Sequence, residues 1–231
     1  MKRSVIALAG GFAGAAAYAA WIRPRHLRWG SSPRERERIW AGDEFMPNPV
    51  TRATRVVTVQ APAELVWPWV AQIGQDRGGF YTYTVLENAF RADMHNADRI
   101  HPEWQDRDPG DTVWLADASH YDGEARVVVA RWIPGKAFVF VSPPDWDRIC
   151  AGLPVEHGVW SILVEPVRDT SCRLIARTLT GKGQFSAGKL INYLFWEPAH
   201  FIMERGMLLG IKSRAEARVS RAPESTCCAA T

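Results

Sequence analysis

The stretch "EARVVVARWIPGKAFVFVSP", residues 124–143, decides the fold. Two runs rich in β-branched and aromatic residues, 124–133 and 137–143, flank Pro134-Gly135, a dipeptide typical of turns. The pattern predicts two antiparallel strands joined by a short turn. Asp122-Gly123 is a second turn signal just before the stretch. Further strand-like runs lie on both sides, at 111–116, 158–167 and 172–181.

The segments outside this meander complete the architecture. "TRVVTVQA", from Thr54, predicts a first strand, and "PAELVWPWVAQIG", from Pro62, predicts a helix that kinks or restarts at Pro68. "YTVLENAF" predicts a second short helix, and residues 198–219 predict a long one. The simplest arrangement is an α+β fold, with a twisted antiparallel sheet wrapped around the C-terminal helix and a cavity between them.

Three local stretches carry a resemblance to a known family. They are "VWPWVAQIGQDRGGFYTYTVLEN", "DMHNADRIHPEWQ" followed by "PGD", and "EPAHFIMERGMLLGIKSRAE". With the element order, they resemble the SRPBCC superfamily of START-like, helix-grip proteins, in its bacterial polyketide cyclase/dehydrase-like branch. The resemblance covers about Gly42 to Val219. It implies the helix-grip fold but no single activity, because the superfamily includes lipid carriers, hormone receptors, cyclases and oxygenase subunits.

Composition excludes several classes of protein. The net charge is +3, and basic residues form no long tract outside the N-terminal region, which argues against nucleic acid as a partner. The four cysteines lack CxxC spacing, and two are adjacent near the C-terminus, so neither a disulfide framework nor a zinc site is predicted. We expect no cofactor. The cysteines are Cys150, Cys172, Cys227 and Cys228.

The N-terminal segment suggests a membrane location. Residues 4–22 are uncharged and nearly long enough to cross a bilayer, which predicts an anchor for a single-pass protein. The excess of arginine after this segment predicts a cytoplasmic domain. The alternative is export after signal cleavage at Ala17-Tyr18-Ala19. We expect a linker at 23–53, the ligand-binding domain at 54–219 and a disordered tail at 220–231.

The loop 93–105 supplies most of the candidate site residues. It combines two histidines, a tryptophan and several charged groups, and we predict that it lies at the cavity rim, with Arg99 and at least one histidine turned inward. Trp104 should anchor it. Its His-x5-His spacing matches no zinc motif, so no metal site is predicted. The alternative is that the loop binds no ligand and its charged groups form local ion pairs at the surface. The ligand-binding candidates are His95, Asp98, Arg99, His101 and Trp104.

Three further residues are candidates. Tyr81 and Tyr83 precede the second predicted helix and could add hydroxyls to the pocket or simply pack there. Glu204 falls within an apolar stripe of the long helix, so a buried carboxylate there must be paired or neutral. Its proposed roles are to orient a ligand or to pair with a cation such as Lys212 or Arg99.

Two functions remain open, together with a third that needs no ligand. The first is a membrane-anchored binding protein for a hydrophobic small molecule or lipid in the internal cavity. The second is an enzyme resembling polyketide cyclases or dehydratases, in which polar groups at the cavity rim polarise a carbonyl. The third is an interaction module of the cell envelope. No GxSxG, HExxH or phosphate-loop motif indicates other chemistry.

Overall fold

Six strands form one antiparallel sheet in the computed structural model, which describes residues 18–84, 88, 91–181 and 197–221. Across the sheet, the first strand of the chain pairs with the sixth, and the fifth, fourth, third and second follow in that order. Each strand that the sequence predicts is present. The strands are β1 (Thr51–Val59), β2 (Thr112–Trp114), β3 (Arg126–Ile133), β4 (Ala137–Val141), β5 (Gly158–Arg168) and β6 (Ser171–Thr180).

Five α-helices accompany the sheet in the described ranges. Two of them, α3 (Ala63–Ala71) and α5 (Glu197–Arg221), pack on one sheet face, called here the inner face. Pro68 lies inside α3, which continues through it to Ala71. The helices are α1 (Arg23–Leu27), α2 (Pro33–Glu37), α3 (Ala63–Ala71), α4 (Pro143–Cys150) and α5 (Glu197–Arg221).

The inner face and α5 enclose the main hydrophobic core. Alternate residues of each strand point to this face, as the twofold side-chain period of a strand requires. Phe138, Phe140 and Leu174 from the sheet pack in one fully buried cluster with Leu208 and Ile211 from α5. The predicted α+β architecture, an antiparallel sheet packed against a long C-terminal helix, is therefore confirmed.

A close backbone approach fixes the position of α5. A Cβ atom placed on Gly210 would lie 2.0 Å from the carbonyl oxygen of Tyr81, so only glycine fits. At Gly206 the added atom would meet side chains of Thr82 and Tyr83 instead. The partner of both glycines is thus the segment that follows α3.

The other, outer face of the sheet is covered by chain that precedes β1 and by α4. Trp40 and Met46 are buried against outward-facing strand residues such as Val139 and Ile175. Ion pairs add to this contact: Arg173 binds Glu35 at 2.7 Å, and Arg177 binds Asp43 at 2.7 Å. Both faces of β4 are thus covered, which explains why every residue of this strand is buried.

The membrane prediction does not agree with the structure. No helix within the described ranges is both long and apolar enough to cross a bilayer, so the predicted single-pass membrane localisation is wrong. Residues 4–17 of the expected anchor lie outside the described residues. So do most of the second predicted helix and residues 222–231 of the expected tail.

Candidate functional site

A buried ion pair joins α5 to β1 beneath the N-terminal half of the helix. The Nη1 atom of Arg55 donates to Oε2 of Glu204, and both side chains are only 1% exposed. The other carboxylate oxygen of Glu204 accepts from Trp160 Nε1 at 2.8 Å and from Thr178 Oγ1 at 3.4 Å. The carboxylate is therefore saturated with donors, which is the condition for keeping a charge inside a protein.

The local sequence explains why these groups meet. Arg55 has an inward position on β1, directly opposite Ala176 of β6. Glu204 lies one helical turn before Leu208 of the core, so it points to the sheet. From the sequence, two roles were open for Glu204, to orient a ligand or to pair with a cation, and in the structure it is buried and paired with a cation. The expected partners Lys212 and Arg99 are wrong, because the cation comes from β1.

The surroundings keep Glu204 ionised. Burial by itself favours the neutral acid, but the positive charge of Arg55 and its hydrogen bond outweigh burial and hold the pKa of Glu204 below its usual value. Arg55 is further fixed by donating from Nε to the carbonyl oxygen of His26 at 2.8 Å. Its guanidinium thus connects α1, β1 and α5.

His200 lies one turn before Glu204 on the same side of α5. Its Nδ1 is 3.4 Å from Nη1 of Arg55, and its ring meets Trp160 edge to face with 6.2 Å between ring centres. Weakened hydration among the surrounding residues lowers the pKa of His200 although part of the residue is exposed, and the charge of Arg55 adds to this effect against the opposing charge of Glu204. The imidazole is therefore mostly uncharged at neutral pH.

The inner face remains accessible beside this polar group. His200 is exposed, and Trp160 and Thr178 are half-buried although they point toward the helix, whereas Phe140 is fully buried. Trp160 also belongs to an aromatic wall. Its ring stacks at 6.1 Å from Phe80 and lies 5.1 Å from Phe140. An accessible surface with aromatic walls and a few hydrogen-bonding groups is typical of small-molecule sites.

A second ion pair adjoins the first at the start of α5. Glu197 binds Nε of Arg23 at 2.9 Å and lies 3.3 Å from Nε2 of His26. Burial lowers the pKa of His26, and this effect exceeds the opposing effect of Glu197. Within each pair, the positive charge of the arginine is balanced by the negative charge of the glutamate.

The loop 93–105, which supplies most of the predicted site residues, lies largely at the protein surface. His95, Asp98 and Arg99 are exposed, so the predicted inward orientation of Arg99 is wrong. His101 is half-buried because its ring stacks on Trp104 at 4.0 Å, and its Nδ1 lies 3.0 Å from Glu103. Trp104 is itself half-buried.

The loop attaches near the C-terminal half of α5. Arg214 donates to the carbonyl oxygen of Ala97 at 3.1 Å, and the His101 amide donates to Gln72 Oε1 at 3.0 Å. Ten residues of helix separate Arg214 from Glu204, which corresponds to about 15 Å along the axis. The structure therefore does not bring the loop candidates together with Glu204.

The two tyrosine candidates also differ. Tyr81 is buried, with its ring 4.8 Å from the guanidinium of Arg214 and 5.7 Å from the ring of Trp69. Burial raises the pKa of its hydroxyl. Tyr83 is 45% exposed and lies beside Gly206, within one turn of Glu204.

Among the described residues, no group of three or more histidine, cysteine or carboxylate side chains is arranged to hold a metal ion. Arg55, Trp160 and His200 were not predicted as site residues from the sequence. The spacing of His200 and Glu204, four apart on one helix face, was a usable signal. Nothing in the sequence connects either residue to Arg55.

Comparison with known proteins agrees with the resemblance. No protein-family model and no curated protein matches the chain. Among solved structures, the polyketide cyclase-like protein Cgl2372 of Corynebacterium glutamicum is 14% identical, with 78% of this chain and 99% of that chain covered and a TM-score of 0.37. The ZhuI aromatase/cyclase of Streptomyces sp. R1128 is 18% identical, with 75% and 98% covered and a TM-score of 0.40.

A third solved structure that matches has two domains. The aromatase/cyclase StfQ of the steffimycin biosynthetic pathway is 19% identical, with a TM-score of 0.41. The match covers 77% of this chain and 54% of that one. The chain is thus similar to polyketide cyclase-like proteins of known structure, as its sequence predicted.

Proposed function

We propose that the domain binds a small, largely apolar molecule on the inner face of the sheet, beside the N-terminal half of α5. The observation that carries the proposal is the accessibility of His200, which is exposed, and of Trp160 and Thr178, which point inward yet are only half-buried. The aromatic wall offers apolar contact area, and His200 offers a hydrogen bond. The buried pair of Arg55 and Glu204 holds the polar side of the site rigid.

The test is binding of a neutral apolar probe, 1-aminoanthracene, followed by its fluorescence. His200→Trp should fill the accessible space and weaken binding about tenfold or more. The matched control is Ile202→Trp, which adds a ring of the same size two residues away at a side chain that is 47% exposed. Equal binding by both variants and the unchanged protein would place the probe elsewhere and remove the proposal.

An enzyme of the cyclase or dehydratase type is the second candidate. The observation in its favour is that His200 is uncharged at neutral pH and accessible, so it can donate to a substrate carbonyl and polarise it. Turnover of a short poly-β-ketone mimic, lost in His200→Phe while 1-aminoanthracene still binds, would favour the enzyme. Unchanged consumption of the mimic in this variant would exclude His200 as its catalyst.

Ligand binding by the loop candidates remains a prediction from the composition of the loop. Exposed side chains such as His95 and Arg99 can be removed without disturbing packing. We therefore expect His95→Ala and Arg99→Ala to leave the melting temperature unchanged. If the loop takes part in binding, 1-aminoanthracene should bind less tightly to these variants, and if it does not, the affinities should be equal.

A further inference from the structure

The contact between Arg55 and His200 determines which nitrogen of His200 carries hydrogen. A guanidinium has only donors, so an arginine nitrogen 3.4 Å from Nδ1 requires a lone pair on that atom. An uncharged imidazole with a lone pair on Nδ1 has its hydrogen on Nε2. Among the described residues, no hydrogen-bond partner of Nε2 is found, and His200 keeps part of its surface exposed.

The arginine that makes this contact cannot easily turn away. Nη1 carries two hydrogens, which allows it to serve both Glu204 and His200. Nε is occupied by the carbonyl oxygen of His26 at 2.8 Å. Because the guanidinium is planar and rigid, these contacts also fix the hydrogen that faces His200.

The charges around His200 determine what kind of acceptor fits. Arg55 is neutralised by Glu204, and Arg23 is neutralised by Glu197. A ligand carboxylate would therefore find no uncompensated cation among these groups to offset its lost hydration. An uncharged carbonyl oxygen needs only a donor.

We propose that Arg55 is a positioning residue that keeps His200 in the tautomer with hydrogen on Nε2, so that the site offers a hydrogen-bond donor to an uncharged carbonyl oxygen of its ligand. The ligand part of this inference rests on the proposed function. The tautomer part does not, so the two can be tested separately.

The tautomer is measured by nitrogen NMR of the imidazole groups at pH 7.5, with the His200 signals identified by their absence in His200→Gln. The expected result is a hydrogen-bearing Nε2 and a bare Nδ1. Arg55→Lys keeps a donor and should keep this tautomer. The double variant Arg55→Met/Glu204→Met removes both charges together, which avoids an uncompensated ion, and should give a mixture of tautomers.

Two results overturn the positioning role. One is a His200 that carries hydrogen on Nδ1, or on both nitrogens, in the unchanged protein. The other is a folded double variant with the same tautomer as the unchanged protein. If the double variant does not fold, the unchanged protein still provides a test, because hydrogen on Nδ1 would contradict the contact with Arg55.

The ligand class is tested with two probes of similar shape, 2-acetylnaphthalene and 2-ethylnaphthalene. Replacing His200 with Phe keeps a ring but removes the donor. We expect about a five- to tenfold loss of affinity for the ketone and less than a twofold change for the hydrocarbon. The charged analogue 2-naphthoate should bind more weakly than the ketone.

The outcomes separate the two proposals. If neither naphthalene binds, the proposed function fails, and the NMR spectra still test the tautomer. If both bind equally and His200→Phe affects neither, the site accepts apolar molecules but the inferred carbonyl contact is wrong. If 2-naphthoate binds most tightly, the charge argument is wrong.

Discussion

At the scale of single residues, Glu204 shows that a sequence pattern can predict burial and ion pairing of a side chain but not the identity of its partner. Its place within an apolar helix stripe indicates burial, and burial of a carboxylate requires a partner. The identity of the partner is not contained in the pattern, because Arg55 is 149 positions away in the chain. The stripe therefore predicts a pair, and only the fold identifies Arg55.

We expect Glu204→Gln to lower the free energy of unfolding by about 3–5 kcal/mol, because the buried charge of Arg55 loses its counterion. The control is Glu165→Gln, which removes a surface pair. The side chain of Glu165 is 38% exposed and that of its partner Arg38 is 49% exposed. Loss of this pair should lower the free energy of unfolding by about 1 kcal/mol or less. Urea denaturation measures both. Similar values for the two variants would mean that the buried pair is no stronger than a surface pair.

At the scale of elements, the strands were predictable and some helices were not. Turn dipeptides and β-branched runs mark the strands clearly. Helix α4 was missed because its eight residues are too few for a visible period, although Ser142 and Asp145 have the spacing of a capping box. Asp145 also accepts hydrogen bonds from the amides of Glu156 and Gly158, which fixes the chain before β5.

The close contact between α5 and the backbone of Tyr81 gives a second prediction. Gly210→Ala should destabilise the domain by about 1–3 kcal/mol, since the added methyl group meets the Tyr81 backbone, which cannot move alone. Gly206→Ala is the matched control, because it meets the side chains of Thr82 and Tyr83, which can rotate. Thermal melts should therefore rank Gly210→Ala below Gly206→Ala. The reverse order would contradict the close approach of α5 to Tyr81.

At the scale of the whole molecule, the sheet has two differently covered faces. The outer face is sealed by apolar contacts and by ion pairs from the chain before β1, such as Arg177 with Asp43. The inner face is filled around Leu208 but accessible around His200. The sequence predicted a cavity from fold class alone. The accessible part of the inner face around His200 involves residues from β1, β5 and α5 that only the folded chain brings together.

Titratable groups whose pKa values are shifted in the folded protein make the stability of the molecule depend on pH. Weakened hydration lowers the pKa values of His26 and His200, so the unfolded chain binds protons more readily than the folded one below about pH 6.5. The stability that depends on these two uncharged histidines should be fully present above that pH and should decrease as the pH falls. Glu35, Asp145 and Glu204 also have lowered pKa values, because hydrogen bonds and cations outweigh burial. Their contribution is lost in turn below about pH 4.5.

The third prediction is a melting temperature several degrees lower at pH 5.5 than at pH 7.5, where the carboxylates are still charged and only the histidines change. Replacing His200 with Gln removes one of the two groups that titrate unfavourably, so the difference between the two pH values should become smaller. His95→Gln is the control, because that side chain is 81% exposed and should leave the difference as it is. A melting temperature that is the same at both pH values would show that His26 and His200 accept protons in the folded state without cost. The proposed carbonyl contact would then lose its basis, because it depends on an uncharged His200.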